Sequence, residues 1–184
     1  GQALRELRGQ RSQRVAGLLD VQVFPGGDGV ATLGVDRSLV LWNATSGDVL
    51  RLLNLSRGSH EHRTMRVLAG GDGIVTGVSD VEGDHAVIWS VADGKPMHIL
   101  RQPHDALQFL EVSPCGAKIV TAGFTSIFVW DAASGRLQRE VLSPSLGIYG
   151  IGITEHGERV VGRFMETIFV VSGVSGELHA SLQM

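Results

Sequence analysis

The sequence predicts an all-β chain of four successive units, each of four antiparallel strands, and three observations carry that prediction. A short apolar phrase recurs: Ser38-Leu39-Val40-Leu41-Trp42, His85-Ala86-Val87-Ile88-Trp89, Ser126-Ile127-Phe128-Val129-Trp130, and Thr167-Ile168-Phe169-Val170-Val171 as a fourth copy. Its spacing is nearly fixed, at 47 residues from Trp42 to Trp89, 41 from Trp89 to Trp130 and 41 from Trp130 to Val171, which stands in the tryptophan slot. Each copy then closes on Ser46-Gly47, Asp93-Gly94, Ser134-Gly135 or Ser175-Gly176, turn residues that reverse a strand. A period in the forties, with one apolar strand per unit closed by a glycine turn, is the pattern of β-propeller blades.

Taken in order, Gly1 to Leu7 copies the segment after each later turn: Gly47 to Leu53, Gly94 to Leu100, Gly135 to Val141 and Gly176 to Leu182. Residues 1–10 are therefore assigned to the outermost strand of a preceding blade. A short basic helix is the alternative, since Arg5, Arg8, Arg11 and Arg14 fall three apart, but Gly9 in its middle disfavours it. The four blades are placed at 11–54, 55–101, 102–142 and 143–184.

Each blade opens with an inner strand before a Gly, Pro, Asp or Ser turn: Val21 to Phe24, Met65 to Ala69, Leu107 to Val112 and Ile148 to Ile153. Second strands come next, at Val30 to Gly34, Ile74 to Val78, Ile119 to Gly123 and Val160 to Gly162. They are apolar on both faces, as strands sandwiched between neighbouring blades should be. The recurring phrase is the third strand, and the more polar segment after each turn glycine is the fourth, an edge that meets water. Closed propellers have roughly four to eight blades, and a leading strand normally completes the last blade. Here the last blade owns its fourth strand, so the expectation is four blades plus one leading outer strand from a larger propeller. A self-closed small propeller is the alternative.

Composition narrows the function. Hydrophobic residues make up 43% of 184, enough for a real core. With a formal net charge of -3 and no basic block, nucleic-acid binding has no electrostatic support. No apolar run reaches the roughly 18 residues of a membrane span. A single cysteine, Cys115, excludes an internal disulfide and fits a reducing, cytoplasmic setting.

The turn Ser113-Pro114-Cys115-Gly116, a Thr-containing second strand, Asp36 at a tight turn and Trp130-Asp131 closing a third strand together resemble the WD-repeat family across essentially the whole chain. The resemblance implies a buried network in which a histidine links an Asp carboxylate to a Ser/Thr hydroxyl, which in turn meets the Trp indole N–H. Mapped onto this sequence, the first unit has Thr32, Asp36 and Trp42, with Gln10 or Arg11 where histidine belongs. The second has His60, Thr76, Asp80 and Trp89, with Val81 to Gly83 read as an insertion that lets Asp84 compete with Asp80. The third keeps Thr121 and Trp130, with Thr125 in place of Asp and His104 one position off. In the fourth, Gly162, Glu166 and Val171 occupy the slots.

Catalytic chemistry finds little footing. His60-Glu61-His62 alternates as strand ligands would, yet zinc sites need three or four ligands and no second cluster accompanies it. The Gly-rich turns lack the Gly-Lys-Ser/Thr ending of a phosphate loop, no Gly-x-Ser-x-Gly elbow exists, and Cys115 has only Lys118 nearby as an activator. No cofactor or metal is expected. Quinoprotein-type propeller dehydrogenases are the enzymatic alternative, but their tryptophan comes after the turn glycine, and here every tryptophan precedes it.

The expectation is a non-catalytic scaffold that binds a protein or peptide. In the resembled family, partners meet the face made by second-to-third-strand turns and by connections between blades. The residues assigned there are Arg37, Glu82, Asp84, Phe124, Phe164 and Met165, with Phe124 and Phe164 folded back onto a neighbouring blade as the plainer alternative. Further blades of the same parent chain are expected as intramolecular partners.

Overall fold

The structure is a computed structural model that describes residues 17–55, 61–80, 83–142 and 147–183. The segment assigned to a leading outer strand, residues 1–10, lies outside them. Every regular element among the described residues is a strand. Sheet 1 holds β1 (Leu18–Val23), β2 (Gly29–Gly34), β3 (Ser38–Asn43) and β4 (Val49–Asn54). Sheet 2 holds β5 (Glu61–Val67), β6 (Gly73–Asp80), β7 (Gly83–Ser90) and β8 (Pro96–Arg101). Sheet 3 comprises β9 (Phe109–Val112), β10 (Lys118–Ala122), β11 (Ser126–Asp131) and β12 (Leu137–Leu142). Sheet 4 comprises β13 (Gly150–Ile153), β14 (Arg159–Phe164), β15 (Thr167–Ser172) and β16 (Leu178–Gln183). All four are antiparallel meanders in chain order.

Local chemistry repeats with the sheets. After each third strand a short polar side chain caps the turn: Asn43 Oδ1 accepts the N–H groups of Thr45 and Ser46, and Ser172 Oγ those of Val174 and Ser175. Asp131 Oδ1 accepts both the hydroxyl and the N–H of Ser134, and those bonds hold its carboxyl below the usual range. Gly47, Gly94, Gly135 and Gly176 close these turns at φ of 79, 74, 67 and 78°, where a Cβ would be strained. The pairing of third and fourth strands slips by one residue at Trp42, Trp89, Trp130 and Val171 alike, so Val171 shares the backbone irregularity of the tryptophans. β6 and β7 pair out to Asp80 and Gly83, and of the segment read as an insertion, Val81 to Gly83, only Gly83 is among the described residues.

The sheets pack side by side through their first strands. β1 lies against β5, β5 against β9 and β9 against β13, and no comparable contact among the described residues returns from β13 to β1. Ala31, Leu33, Leu39 and Leu41 of sheet 1 meet Met65 and Ile74 of sheet 2. Sheet 2 packs on sheet 3 through Val75, Ile88, Leu100, Ile119 and Phe128, and sheet 3 on sheet 4 through Val120, Val129, Val160 and Phe169. Each of these side chains larger than alanine contributes about 1.5–3 kcal/mol by leaving water, so each sheet depends on its neighbour. Val120, Ile127 and Val129 are fully buried, whereas Val161, Ile168 and Val170, at the same register on sheet 4, remain half-exposed.

Polar contacts tie the same junctions. Arg66 on β5 grips Glu111 on β9 with two bonds, Nη2 to Oε1 at 2.8 Å and Nε to Oε2 at 3.0 Å, and reaches Asp20 Oδ2 on β1 at 3.5 Å. The Glu111 hydrogen bond is the main reason the guanidinium binds its proton more tightly than usual. On the fourth strands, Arg51 Nη2 donates to the Ala92 carbonyl at 2.6 Å, His98 Nε2 lies 2.9 Å from the Ala133 carbonyl, and Arg139 Nε donates to the Val174 carbonyl at 3.1 Å. Each reaches the turn of the next sheet.

In sheet 4, where Gly162 and Val171 stand in the threonine and tryptophan slots, a single ring fills the space. Gly162 sits opposite Phe169, and a Cβ there would lie 2.1 Å from the ring's Cζ. Phe169 fills space that a threonine occupies in sheets 1 to 3. Gly162→Ala is expected to cost about 1–3 kcal/mol by overpacking, read as a lower denaturant midpoint at unchanged slope. A midpoint equal to the wild type would contradict this packing.

Candidate interaction surface

The meanders sort the turns to two ends. First and third turns share one end, where the Cys115 N–H donates to the Glu155 carbonyl at 3.2 Å between the first turns of sheets 3 and 4. Second turns and the connections between sheets share the other. There the Phe124 carbonyl accepts the N–H groups of Gly147 and Ile148, and Leu55 N–H donates to the Arg37 carbonyl.

Within the sheets, each of sheets 1 to 3 carries one indole bond, buried in sheets 1 and 3 and half-buried in sheet 2. Trp42 Nε1 donates to Thr32 Oγ1 at 2.8 Å, Trp89 to Thr76 at 2.9 Å and Trp130 to Thr121 at 2.9 Å. The threonine on the second strand and the indole on the third come within reach because both project from one face of their sheet. Asp36 stays in its own turn, its Oδ1 accepting the hydroxyl of Ser38 at 2.6 Å and its N–H at 3.1 Å. Asp84 reaches across to sheet 3, where its Oδ2 accepts the Leu107 N–H at 3.1 Å. His60, Glu82 and the side chain of Asp80 lie outside the described residues.

Sheet 3 brings in a carboxylate from a different place. Asp105, in the connection before β9, accepts the Thr125 N–H at 2.6 Å, the Thr125 hydroxyl at 2.9 Å and the Ser126 N–H at 3.1 Å. Thr125, read from sequence as standing in the Asp position, is thus a donor to that Asp. Burial alone would raise the Asp105 carboxyl, but the hydrogen bonds from the second turn outweigh it and leave it below its ordinary value. Asp105 holds φ at 74°, a left-handed conformation that aspartate tolerates better than most residues. His104 beside it lies 2.8 Å from Glu140 Oε1 and 3.4 Å from Ser126 Oγ, with its ring edge-on to Phe128.

This carboxylate fixes the turn that presents Phe124, which is 52% exposed. Gly147, hydrogen-bonded to the Phe124 carbonyl, is flanked in turn by the rings of Phe164 and Tyr149, each 3.4 Å from where its Cβ would be. Tyr149 is 54% exposed and Met165 61%, the latter at a φ of 41°. Phe164 is half-buried and packs into the core between sheets 3 and 4. Arg37 sits in the second turn of sheet 1 at φ 67°. A cleft of about 190 Å³ opens between sheets 2 and 3, lined by Thr64, Gly77, Ser79, Asp84 and Leu107.

Compared with known proteins, the chain matches no family model and has no significant sequence match to a curated protein.

Asp105 and Tyr149 are the residues that sequence reasoning missed. Asp105 carries a faint signal, an acidic residue two positions ahead of an apolar strand; Tyr149 reads as part of an inner strand that in fact begins at Gly150. At the opposite end, Cys115 has a different neighbour from the Lys118 that its sequence position suggests. Its thiol is held below the usual range by the Ser113 hydroxyl, the Ala117 N–H and His156, while Lys118 Nζ bonds Gln138. His156 is raised in return, chiefly by Cys115. No group of three or more His, Cys, Asp or Glu among the described residues is arranged to hold a metal ion.

Proposed function

We propose that this chain is a segment of a WD-repeat β-propeller and works as a non-catalytic interaction scaffold that takes a protein or peptide partner on the second-turn end. The four sheets are its blades, and further blades of the parent chain cover the open face of sheet 4. The observation that carries the binding reading is the exposure of Phe124, Tyr149 and Met165 on the second turns of sheets 3 and 4 and the connection between those sheets. Large apolar side chains of this kind anchor interfaces, and here rigid strands and the Asp105 bonds hold them in place. The family reading is supported by the recurring indole-to-threonine bond and by the common register slip at the tryptophan slot. A cytoplasmic setting rests on cysteine usage, and no helix among the described residues is long and apolar enough to cross a membrane.

The test is affinity capture with the wild type and with Phe124→Ala combined with Met165→Ala. Both side chains are exposed, so folding stability should move by no more than about 0.5 kcal/mol per site. The partner recovered by the wild type is expected to fall by about tenfold or more with the double variant. Equal recovery would retire this surface, and turnover of an alcohol with added quinone would replace the scaffold reading with an enzyme.

A further inference from the structure

A second cleft lies at the opposite end, between sheets 1 and 2, with a volume of about 360 Å³. Its walls are mainly apolar, formed by Phe24, Leu41, Leu50, Val91 and Ala92, with Asn43 also lining it. It crosses sheet 1 from the first turn, where Asp28 stands, to the fourth strand, where Arg51 stands. An acid and a base therefore sit at its two ends.

At this end the first junction is packed less tightly than the later ones. A Cβ at Gly71 would sit 3.4 Å from the Phe24 ring, in ordinary contact. At the next junctions, a Cβ at Gly116 would meet the Ala69 Cβ at 2.9 Å, and one at Gly157 the Lys118 Cγ at 2.5 Å. The first-turn glycine thus lies tighter against the preceding sheet at the later junctions than between sheets 1 and 2. The slot held by Gly29 is also filled in sheets 3 and 4 by the long side chains of Lys118 and Arg159.

The geometry points to this cleft as a binding site for a short extended peptide. The peptide inserts one large aliphatic side chain between sheets 1 and 2, with a Lys or Arg beside Asp28 and an Asp or Glu beside Arg51. A volume above about 300 Å³ with apolar walls and a few polar groups is the form of a small-ligand site. Opposite charges at the two ends set the direction in which the peptide lies. Arg51 gives one N–H to the Ala92 carbonyl, and a guanidinium has five, so that bond does not exhaust it. The site is independent of the second-turn surface and does not rest on the scaffold reading.

Titration of the ¹⁵N-labelled protein with acetylated, amidated Lys-Leu-Glu and with the uncharged Gln-Leu-Gln tests it. The charged peptide is expected to shift the Gly29, Gly71 and Ala92 amides with a Kd of about 1–10 mM. The uncharged peptide should bind at least about fivefold more weakly, and Asp28→Asn should weaken the charged peptide by a similar factor while sparing the uncharged one. Equal affinity for both peptides, shifts confined to the region of Phe124 and Met165, or no shift at about 10 mM would each overturn the site. The comparison of peptides needs only the wild type, so it decides the matter even if Asp28→Asn disturbs the fold. Any of these failures leaves the capture experiment on Phe124 and Met165 untouched.

Discussion

Trp130→Ala is expected to lower folding stability by about 3–5 kcal/mol, the largest of the single-residue effects. The indole is buried at the junction of sheets 2 and 3, against a core that includes Leu68, Val75, Ile88 and Phe128. Removing it empties that junction and also strips the Thr121 hydroxyl of its donor. Two smaller changes separate these causes. Thr121→Val keeps the volume but leaves the indole N–H buried without an acceptor, at a cost of about 1–3 kcal/mol. Trp130→Phe combined with Thr121→Val removes both polar partners, so its cost should fall short of the sum of the singles by at least about 0.5 kcal/mol. Chemical denaturation of the four proteins checks this. Strict additivity would mean that the indole bond contributes nothing beyond packing.

Asp105→Ala is the second large effect, expected at about 2–4 kcal/mol, because it leaves two N–H groups and a hydroxyl of the Phe124 turn without their acceptor. It also keeps a Cβ in a left-handed conformation. Asp105→Gly relaxes that conformation without restoring the bonds, and Asp105→Asn retains an oxygen acceptor and tolerates the backbone, so the order of stability should be wild type, Asn, Gly, Ala. The pH dependence has a definite sign. The folded carboxyl lies below its ordinary value of 3.8, so its contribution is fully present above that value and is lost as pH falls through the lower folded value. Wild type should therefore lose stability relative to Asp105→Asn as pH is lowered beneath about 4. Parallel pH profiles for the two proteins would show that this carboxylate is not linked to folding.

The all-β order of four four-stranded sheets was legible because it depends on periodicity: apolar alternation, a repeat in the forties and a capped glycine turn after each third strand. Each of those is a local property, readable from neighbouring residues. Asp105 was not legible for the opposite reason. Its acceptor role depends on a connection folding back over a turn 20 residues later, on a backbone angle that no spacing encodes. The reach of Arg51, His98 and Arg139 to the next sheet's turn was hidden in the same way, because the polarity of a fourth strand reads first as contact with water. Tyr149 was absorbed into a strand by its apolar neighbours, whereas β13 starts one residue after it and leaves the ring on the surface. Phe24 is the instructive case at the other end. It occupies the position of Leu68 before its turn, yet its ring lines the cleft between sheets 1 and 2.

Hydrogen exchange at the indole N–H groups reads the packing of the sheets on one another. Each is a single resolvable proton, and Trp89 and Trp130 pack at the junctions of sheet 1 with 2 and of sheet 2 with 3, so each reports on both the sheet that carries it and the neighbour that covers it. Slow exchange is expected for both, with Trp130 approaching the rate set by global unfolding and Trp89, at a half-buried bond, somewhat faster. A Trp130 indole exchanging at the rate of free tryptophan would contradict the packing of these sheets on one another.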